Sequence, residues 1–450
     1  MKYVSTRGKA PVLGFGDVLL AGLASDGGLY VPESVPHVEP SPVGATYAEV
    51  AVEVMWPFVE GSIERGDFVS MVAAAYDGFD HPDVCPVVVL DDGFFVQELW
   101  HGPTLAFKDV ALQLVGRLFD HELTEREERA TIVVATSGDT GSAAIEACIG
   151  RQTLDIVVLH PAGRTSDVQR RLMTTVDAPN VHNVAVEGTF DDCQDLVKAL
   201  FADAAFRQDV GLSAMNSINW ARVLAQLVYY VTAQRSVGRP CSFAVPSGNF
   251  GNALTGWYAR RAGVPIVRLL LASNRNDILT RWVGTGALVT EEVVPTISPS
   301  MDIQVSSNHE RLLFELLGRD AGATTELMGR FRTLGAVEAP RDPAVAAARL
   351  DDDETRAVMA EVYREHGYLI DPHTAVGIGA ARRLRRKRDE AIVCLSTAHP
   401  AKFPDAVEAA TGVRPALPDR LADLFDRPER YDVLAADVGA VQAHIRRVLA

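Results

Sequence analysis

The first residue whose type and setting invite chemistry is a lysine inside an apolar run. In HGPTLAFKDVALQ, residues 101–113, Lys108 follows Leu105, Ala106 and Phe107 and precedes Val110, Ala111 and Leu112. Three fates are open to it. Its stem can lie along apolar surface with the ammonium in water, it can pair with an acid such as Asp109, or burial can keep the amine neutral and nucleophilic. Three other stretches end an apolar run in small polar residues: ATSGDTGSAA (135–144), VPSGNFGNALTG (245–256) and CLSTAHPAKF (394–403). Gly138, Gly141, Gly248 and Gly251 let the backbone approach a ligand closely. A helix starting beyond such a loop aims free N–H groups and partial positive charge at an anion. Two such loops suit a ligand, or a pair, with at least two anionic groups; taken singly, either is more readily an ordinary strand–helix turn. No GK[ST] follows them, so neither is a P-loop, and no GxGxxG marks a dinucleotide site. The GFG at residues 14–16 reads as structural.

A nucleophilic lysine and a Ser-Gly-Asn-Phe-Gly-Asn loop together fit pyridoxal phosphate (PLP). The amine forms a Schiff base with the cofactor aldehyde, the glycine/asparagine loop takes the phosphate, and a third strand end can offer a hydroxyl to the ring nitrogen. On spacing alone this reading and a Lys108–Asp109 pair stand level.

The elements that must position these residues alternate. TIVVAT (131–136), DIVVLHP, VHNVAVEG, SFAVPSG, IVRLLLAS and AIVCLSTAHP read as strands with helices between them, the pattern of βαβ units on a parallel sheet. Helices are predicted near 142–150, 167–175, 191–203, 220–236, 252–262 and 404–410. Residues 1–96 show no repeated strand–helix unit, and residues 47–76 read as helical. The Asp/Ala-rich stretch near 341–353 reads as a loop or exposed insertion. The basic run at 382–388 reads as the end of a surface helix.

The bulk numbers set outer bounds. Over 450 residues, 48% are hydrophobic and 23% charged, which is enough for two or three domains around a large core. A formal net charge of -16 disfavours nucleic acid and anionic membrane as partners. The five cysteines are scattered without a CxxC, which argues against a disulfide framework and a metal site and suits a reducing compartment. The N-terminal stretch is not a signal peptide and no segment reaches transmembrane length, so a cytoplasmic location is expected.

HGPTLAFKD, SGDTGSAA, NSINWAR, PSGNFGN, PSMDIQVSSNHERLL, DPHTAVG and LSTAHPAKF, in this order, closely resemble the bacterial and fungal threonine synthase family. DGGLYVPESVP (26–36) resembles the short N-terminal domain of that family, and the likeness runs to about residue 412. The resemblance implies an α/β fold of PLP-dependent fold type II, like tryptophan synthase β, with parallel sheets in two domains plus a small N-terminal one. The expected domains are 1–96, then a large PLP-binding domain of 97–130 and 215–450, and a small α/β domain of 131–214. The implied reaction converts O-phospho-L-homoserine and water to L-threonine and phosphate, in a monomer or homodimer, with Lys108 bound to PLP and shuttling protons. By the same likeness Gly248, Asn249, Phe250, Gly251 and Asn252 form the cofactor phosphate loop, and Thr397, with Ser396 as fallback, meets the ring nitrogen. Ser137, Gly138, Asp139, Thr140 and Gly141 receive the substrate carboxylate, and Asn216, Ser217 and Arg222 receive its phosphate. Many relatives of this fold type carry Asn in place of Asp139. A carboxylate there would repel the substrate's, so Asp139 is protonated, turned away, or capping a helix. His101 is read as supporting its loop, and Lys402 is a further candidate without a role. The leucines of SSNHERLL are read as core. A PLP dehydratase of the same fold type would not need Arg222 and NSIN, a non-catalytic sensor would not need Lys108, and a nicotinamide enzyme lacks its fingerprint. No long N-terminal extension is seen, so activation by S-adenosylmethionine is not expected.

Overall fold

A computed structural model describes residues 1–39, 44–136 and 138–450. Two largely parallel sheets carry the architecture. The larger has six strands in the order Val345–Arg349, Ile266–Ser273, Cys241–Pro246, Ile392–Ser396, Phe94–Glu98 and Val87–Asp91. All neighbours in it run parallel except the last pair. The smaller has five parallel strands in the order Asp432–Ala435, Val181–Glu187, Leu154–Pro161, Ala130–Ala135 and Leu212–Ser213. Cys241–Pro246, Ile392–Ser396 and most of Leu154–Pro161 are buried along their length, as strands covered on both faces by helices must be. The α/β, fold-type-II architecture expected from the sequence is what the chain adopts.

Three expectations need correction. Val87–Asp91 and Phe94–Glu98 do not belong with residues 1–96: they form an antiparallel hairpin at the edge of the large sheet, turned at Gly93 with φ 71°. A DG dipeptide between two apolar runs is a hairpin signal in its own right. The last residues do not belong to the large domain either. Asp432–Ala435 pairs with Val181–Glu187, and Val441 and Ile445 of the helix Val438–Leu449 are buried with Val184, Leu196 and Leu200. An edge strand and an amphipathic helix complete the small sheet's core, although its other strands lie more than 200 residues earlier. Finally, the stretch read as an insertion at 341–353 contains the large sheet's outer strand Val345–Arg349. It is alanine-rich and half exposed because it has one neighbour only.

The basic run follows the helix Pro372–Leu384, where Arg382 and Arg383 pair with Glu361 and Glu354. The helices Tyr47–Val59 and Arg65–Tyr76 share one apolar core with the central helices Lys108–Glu125 and Trp220–Val237. On another side of Lys108–Glu125, Gly116 permits a close approach: a Cβ there would lie 2.1 Å from the Ala147 carbonyl oxygen of the helix Asp139–Cys148. No helix among the described residues is long and apolar enough to cross a membrane.

Candidate active site

Five loops leave the carboxyl ends of strands and converge on one cavity of about 960 Å³. Ligands of open parallel sheets bind at such ends. Here the ends of both sheets face the same space.

Lys108 opens its helix, and the loop before it is stitched to the loop carrying Thr397. Leu99 N donates to Ser396 O, Phe107 N to Thr397 O at 2.9 Å, and His399 N to Leu105 O at 3.0 Å. Leu105 is held at φ 62°, an unusual backbone for a branched side chain. Asp109 does not pair with Lys108. It turns back to accept from Thr104 N at 2.8 Å and Thr104 Oγ1 at 2.6 Å, and is fully buried. The alternative left open by spacing is thereby closed. Nor does the ammonium reach water along apolar surface: Lys108 is only 9% exposed and its Nζ sits 3.4 Å from Asp139 Oδ2. Burial lowers the Lys108 pKa, with Lys402 and Arg222 acting the same way, while Asp139 opposes them.

Asp139 lies in the first turn of its helix but does not cap it. Its oxygens take Lys402 Nζ at 2.7 Å, Gln169 Nε2 at 3.0 Å and Ser300 Oγ at 3.2 Å, besides Lys108. Burial alone would raise its pKa, but Lys402 and Lys108 outweigh that and hold the carboxyl well below its ordinary value. Of the fates considered for Asp139, helix capping is excluded, and the two lysines favour the ionised form over the protonated one. Gly138, at φ 142°, packs its bare Cα against Gln169, where a Cβ would come within 2.7 Å of side-chain carbon. Thr140 lines the cavity, and Ser137 lies outside the described residues.

The loop 247–250 joins the strand Cys241–Pro246 to the helix Gly251–Arg261. Phe250, at φ 63°, is clamped in this rare backbone region by its ring, 5.0 Å from that of His309. Asn308 braces the loop: its N and Nδ2 both donate to Asn249 O, and Nδ2 also donates to Ser217 O at 2.9 Å. The SSNHERLL motif thus does more than fill the core. Leu312 and Leu313 are buried as expected, whereas Leu316 and Leu317 are half-buried. Two buried polar atoms of this loop region have no partner among the described residues, Ser247 Oγ and Asn252 Nδ2. Asn252 Oδ1 is already satisfied by Tyr229 and Tyr230, which fixes the amide with its donor free. Both residues line the cavity. Unsatisfied buried donors are costly unless a ligand satisfies them, so this loop fits the PLP phosphate.

Thr397 lines the same cavity, whereas Ser396 is turned away, its Oγ held by Trp100 Nε1 and Thr374 Oγ1, each at 3.0 Å. That removes the fallback for the ring nitrogen. His101 also points elsewhere. Its Nε2 is 2.7 Å from Glu98 and its ring stacks on Trp100, a supporting arrangement.

Asn216 and Ser217 sit in a turn beyond the short strand Leu212–Ser213, and Asn219 caps the helix Trp220–Val237 by accepting from Ala221 N at 3.0 Å. Arg222 follows within the first turn and is 4% exposed. Its Nε and Nη1 have no hydrogen-bond partner among the described residues, and burial pushes its pKa down to about 10. All three residues line the cavity. Sequence reasoning missed Ser247, Gln169, Ser300 and His373. His373 Nδ1 is 2.7 Å from Asp371, and Nε2 accepts from Ser300 N at 3.2 Å, an arrangement in which Nδ1 donates to Asp371. DPHTAVG and PSMDIQ, which hold two of these residues, were the available signals.

A fold-type-II sheet pair, a buried lysine and a phosphate-ready loop define a PLP-dependent enzyme, and the family model described as "Pyridoxal-phosphate dependent enzyme" matches residues 88–398. Models described as "Threonine synthase N terminus" and "Threonine synthase, C-terminal" match residues 2–76 and 374–445. The chain is 51% identical to the threonine synthase of Pseudomonas aeruginosa over 99% of this chain and 98% of that one. It is 37% identical to that of Saccharomyces cerevisiae over 100% and 98%. A crystal structure of PLP-bound threonine synthase from Brucella melitensis superposes with TM-score 0.97 at 51% identity, covering 100% of this chain and 99% of that one. The chain belongs to the threonine synthase family of PLP-dependent lyases.

Proposed function

We propose that the chain converts O-phospho-L-homoserine and water to L-threonine and phosphate. The observation that carries the reading is the buried Arg222 guanidinium, with two donors unused, opening into the cavity that also holds Lys108. A planar guanidinium binds a phosphate through paired, charge-assisted hydrogen bonds. An enzyme that eliminated water from an unphosphorylated amino acid would leave this cation stranded at a cost.

When bound, PLP supplies the electron sink that makes protons on Cα and then Cβ of the substrate removable. Lys108 holds the cofactor through its amine. Once the substrate amine has replaced it, the Lys108 amine takes and returns protons at Cα and Cβ, which requires the neutral form that burial favours. Ser247, Asn252 and the backbone of residues 248–251 take the cofactor phosphate, and Thr397 faces the ring nitrogen. Arg222, Asn216 and Ser217 grip the substrate's γ-phosphate and stabilise it as it leaves. Thr140, at the amino end of the helix Asp139–Cys148, receives the substrate carboxylate, a role we extend to Ser137, which lies outside the described residues. Asp139 does not repel that carboxylate, because Lys402 pairs with it at 2.7 Å. All five cysteines are buried and unpaired, which supports a reducing, cytoplasmic setting.

The test is production of phosphate and threonine from O-phospho-L-homoserine by the wild type beside Lys108→Ala. Equal amounts of both products, absent in the variant, are expected. A wild type that binds PLP and forms neither product overturns the substrate assignment.

A further inference from the structure

Lys402 touches neither substrate nor cofactor in the scheme above, yet it is the most buried cation at the site. It is fully inaccessible, while Lys108 and Arg222 retain 9% and 4% exposure, and it does not line the cavity. The strand Ile392–Ser396 delivers it: Thr397 turns toward the cavity, and a short 3-10 turn at Pro400–Lys402, capped by His399, drops Lys402 behind the wall. There Nζ donates to Thr104 O at 2.9 Å and sits 2.7 Å from Asp139 Oδ1.

The two lysines divide one carboxylate unequally. Oδ1 belongs to Lys402 at 2.7 Å, whereas Oδ2 stands 3.4 Å from Lys108 and shares itself with Ser300 Oγ at 3.2 Å. A buried carboxylate with one close cation attracts a second one less, and a buried ammonium without a close anion gives up its proton more readily.

We infer that Lys402 is a positioning residue: by taking Asp139 into a tight ion pair behind the cavity wall, it prevents Asp139 from capturing Lys108 and leaves the Lys108 amine free to react with the aldehyde of PLP. The charged groups facing Lys108 are Asp139 from the small-sheet helix, Lys402 from the turn after the large sheet's strand, and Arg222 from the helix Trp220–Val237. Those facing Lys402 are Asp139 and Asp109, the latter occupied by Thr104. His373 reaches Asp139 only through Ser300. With Lys402 gone, Asp139 has Lys108 as its one ammonium partner. The Lys108 proton is then held more firmly, so the reactive form appears at higher pH. With Asp139 gone, the proton is held less firmly and the midpoint falls.

The inference rests on Lys108 being the residue that binds PLP. The experiment strips the cofactor, adds PLP across a pH series, and measures the rate of its covalent attachment by borohydride trapping, with the modified residue located by peptide mass. In this step the amine condenses with the aldehyde and one water leaves. Lys402→Met is expected to move the midpoint of the rate–pH profile up by about one unit, so that capture below the midpoint slows about tenfold. Asp139→Asn is expected to move it down, and Lys402→Arg to leave it in place. Added to Asp139→Asn, the substitution Lys402→Met should produce a smaller shift than it does in the wild type, because the effect runs largely through Asp139. Coincident profiles for the wild type and Lys402→Met overturn the inference. If Lys402→Met does not fold, Asp139→Asn decides alone, and an unmoved midpoint overturns it. Trapping at a lysine other than Lys108 in the wild type is a different failure, that of the site reading itself.

Discussion

Replacing Arg222 by methionine separates a phosphate clamp from a structural arginine. Its Nε and Nη1 have no hydrogen-bond partner among the described residues. A hydrogen bond involving a charged group contributes about 1.5–3 kcal/mol. Two of them to a substrate phosphate, at the low end, give about 3 kcal/mol. At about 1.4 kcal/mol per decade, kcat/KM for O-phospho-L-homoserine should fall at least about 100-fold. Stability without ligands should move the other way or not at all. Arg222 is 4% exposed with its pKa pushed down to about 10, so the empty site carries a desolvated cation whose removal relieves a cost. Inorganic phosphate should stabilise the wild type against urea, by about 2.7 kcal/mol at about 100 times its Kd, and leave Arg222→Met unaffected. The visible absorbance of bound PLP should persist, because the cofactor loop lies on a different strand end. The assay is kcat/KM, urea midpoints with and without phosphate, and the absorbance spectrum. A loss below about tenfold, equal phosphate stabilisation of both proteins, or loss of PLP from the variant would refute the assignment.

Two further expectations concern the scaffold. Gly116→Ala should destabilise the chain by about 1–3 kcal/mol through overpacking, because the added carbon meets the Ala147 carbonyl at 2.1 Å and backbone cannot yield as a side chain can; a urea midpoint equal to the wild type's would show that the two helices part at no cost. His309 lies against Phe250 and Trp282, and burial pushes its pKa down to about 3 from 6.5. Between those values the unfolded chain binds a proton that the folded one refuses, so stability is full above about pH 6.5 and declines as pH falls toward 3. His309→Phe should therefore lose less stability between about pH 7 and about pH 5 than the wild type does, compared by urea midpoints. An identical loss would locate the acid sensitivity elsewhere.

Much of the site was legible in the sequence because its parts are contiguous. The residues 248–252, 216–222 and 397 each lie within one strand-to-helix connection, and a connection of that kind points at the cavity wherever its strand sits. The less legible parts are those made between connections. Ser247 could have been read with the loop it begins, since it differs from its neighbours only in having its hydroxyl unsatisfied. Gln169, Ser300 and His373 gain meaning only through Asp139. The hairpin 87–98 was missed although its DG turn was visible. The C-terminal strand could not have been placed, because Asp432–Ala435 pairs with a strand about 250 residues earlier and nothing local names the partner.

The sequence by itself determined the parallel α/β class, through the alternation of β-branched runs with helical stretches, and the family, through motifs kept in order along most of the chain. It also supplied Lys108, the glycine loop and Arg222 as candidates. What it left open was whether Lys108 pairs with its neighbour Asp109. Only the tertiary structure decided that, and by a simple means. Thr104 takes Asp109 away from Lys108, while Asp139, from the other sheet, arrives already held by Lys402. Charge on a buried group is set by which partners reach it within hydrogen-bonding distance, and residues 31 and 294 positions away become those partners only when two sheets close on one cavity.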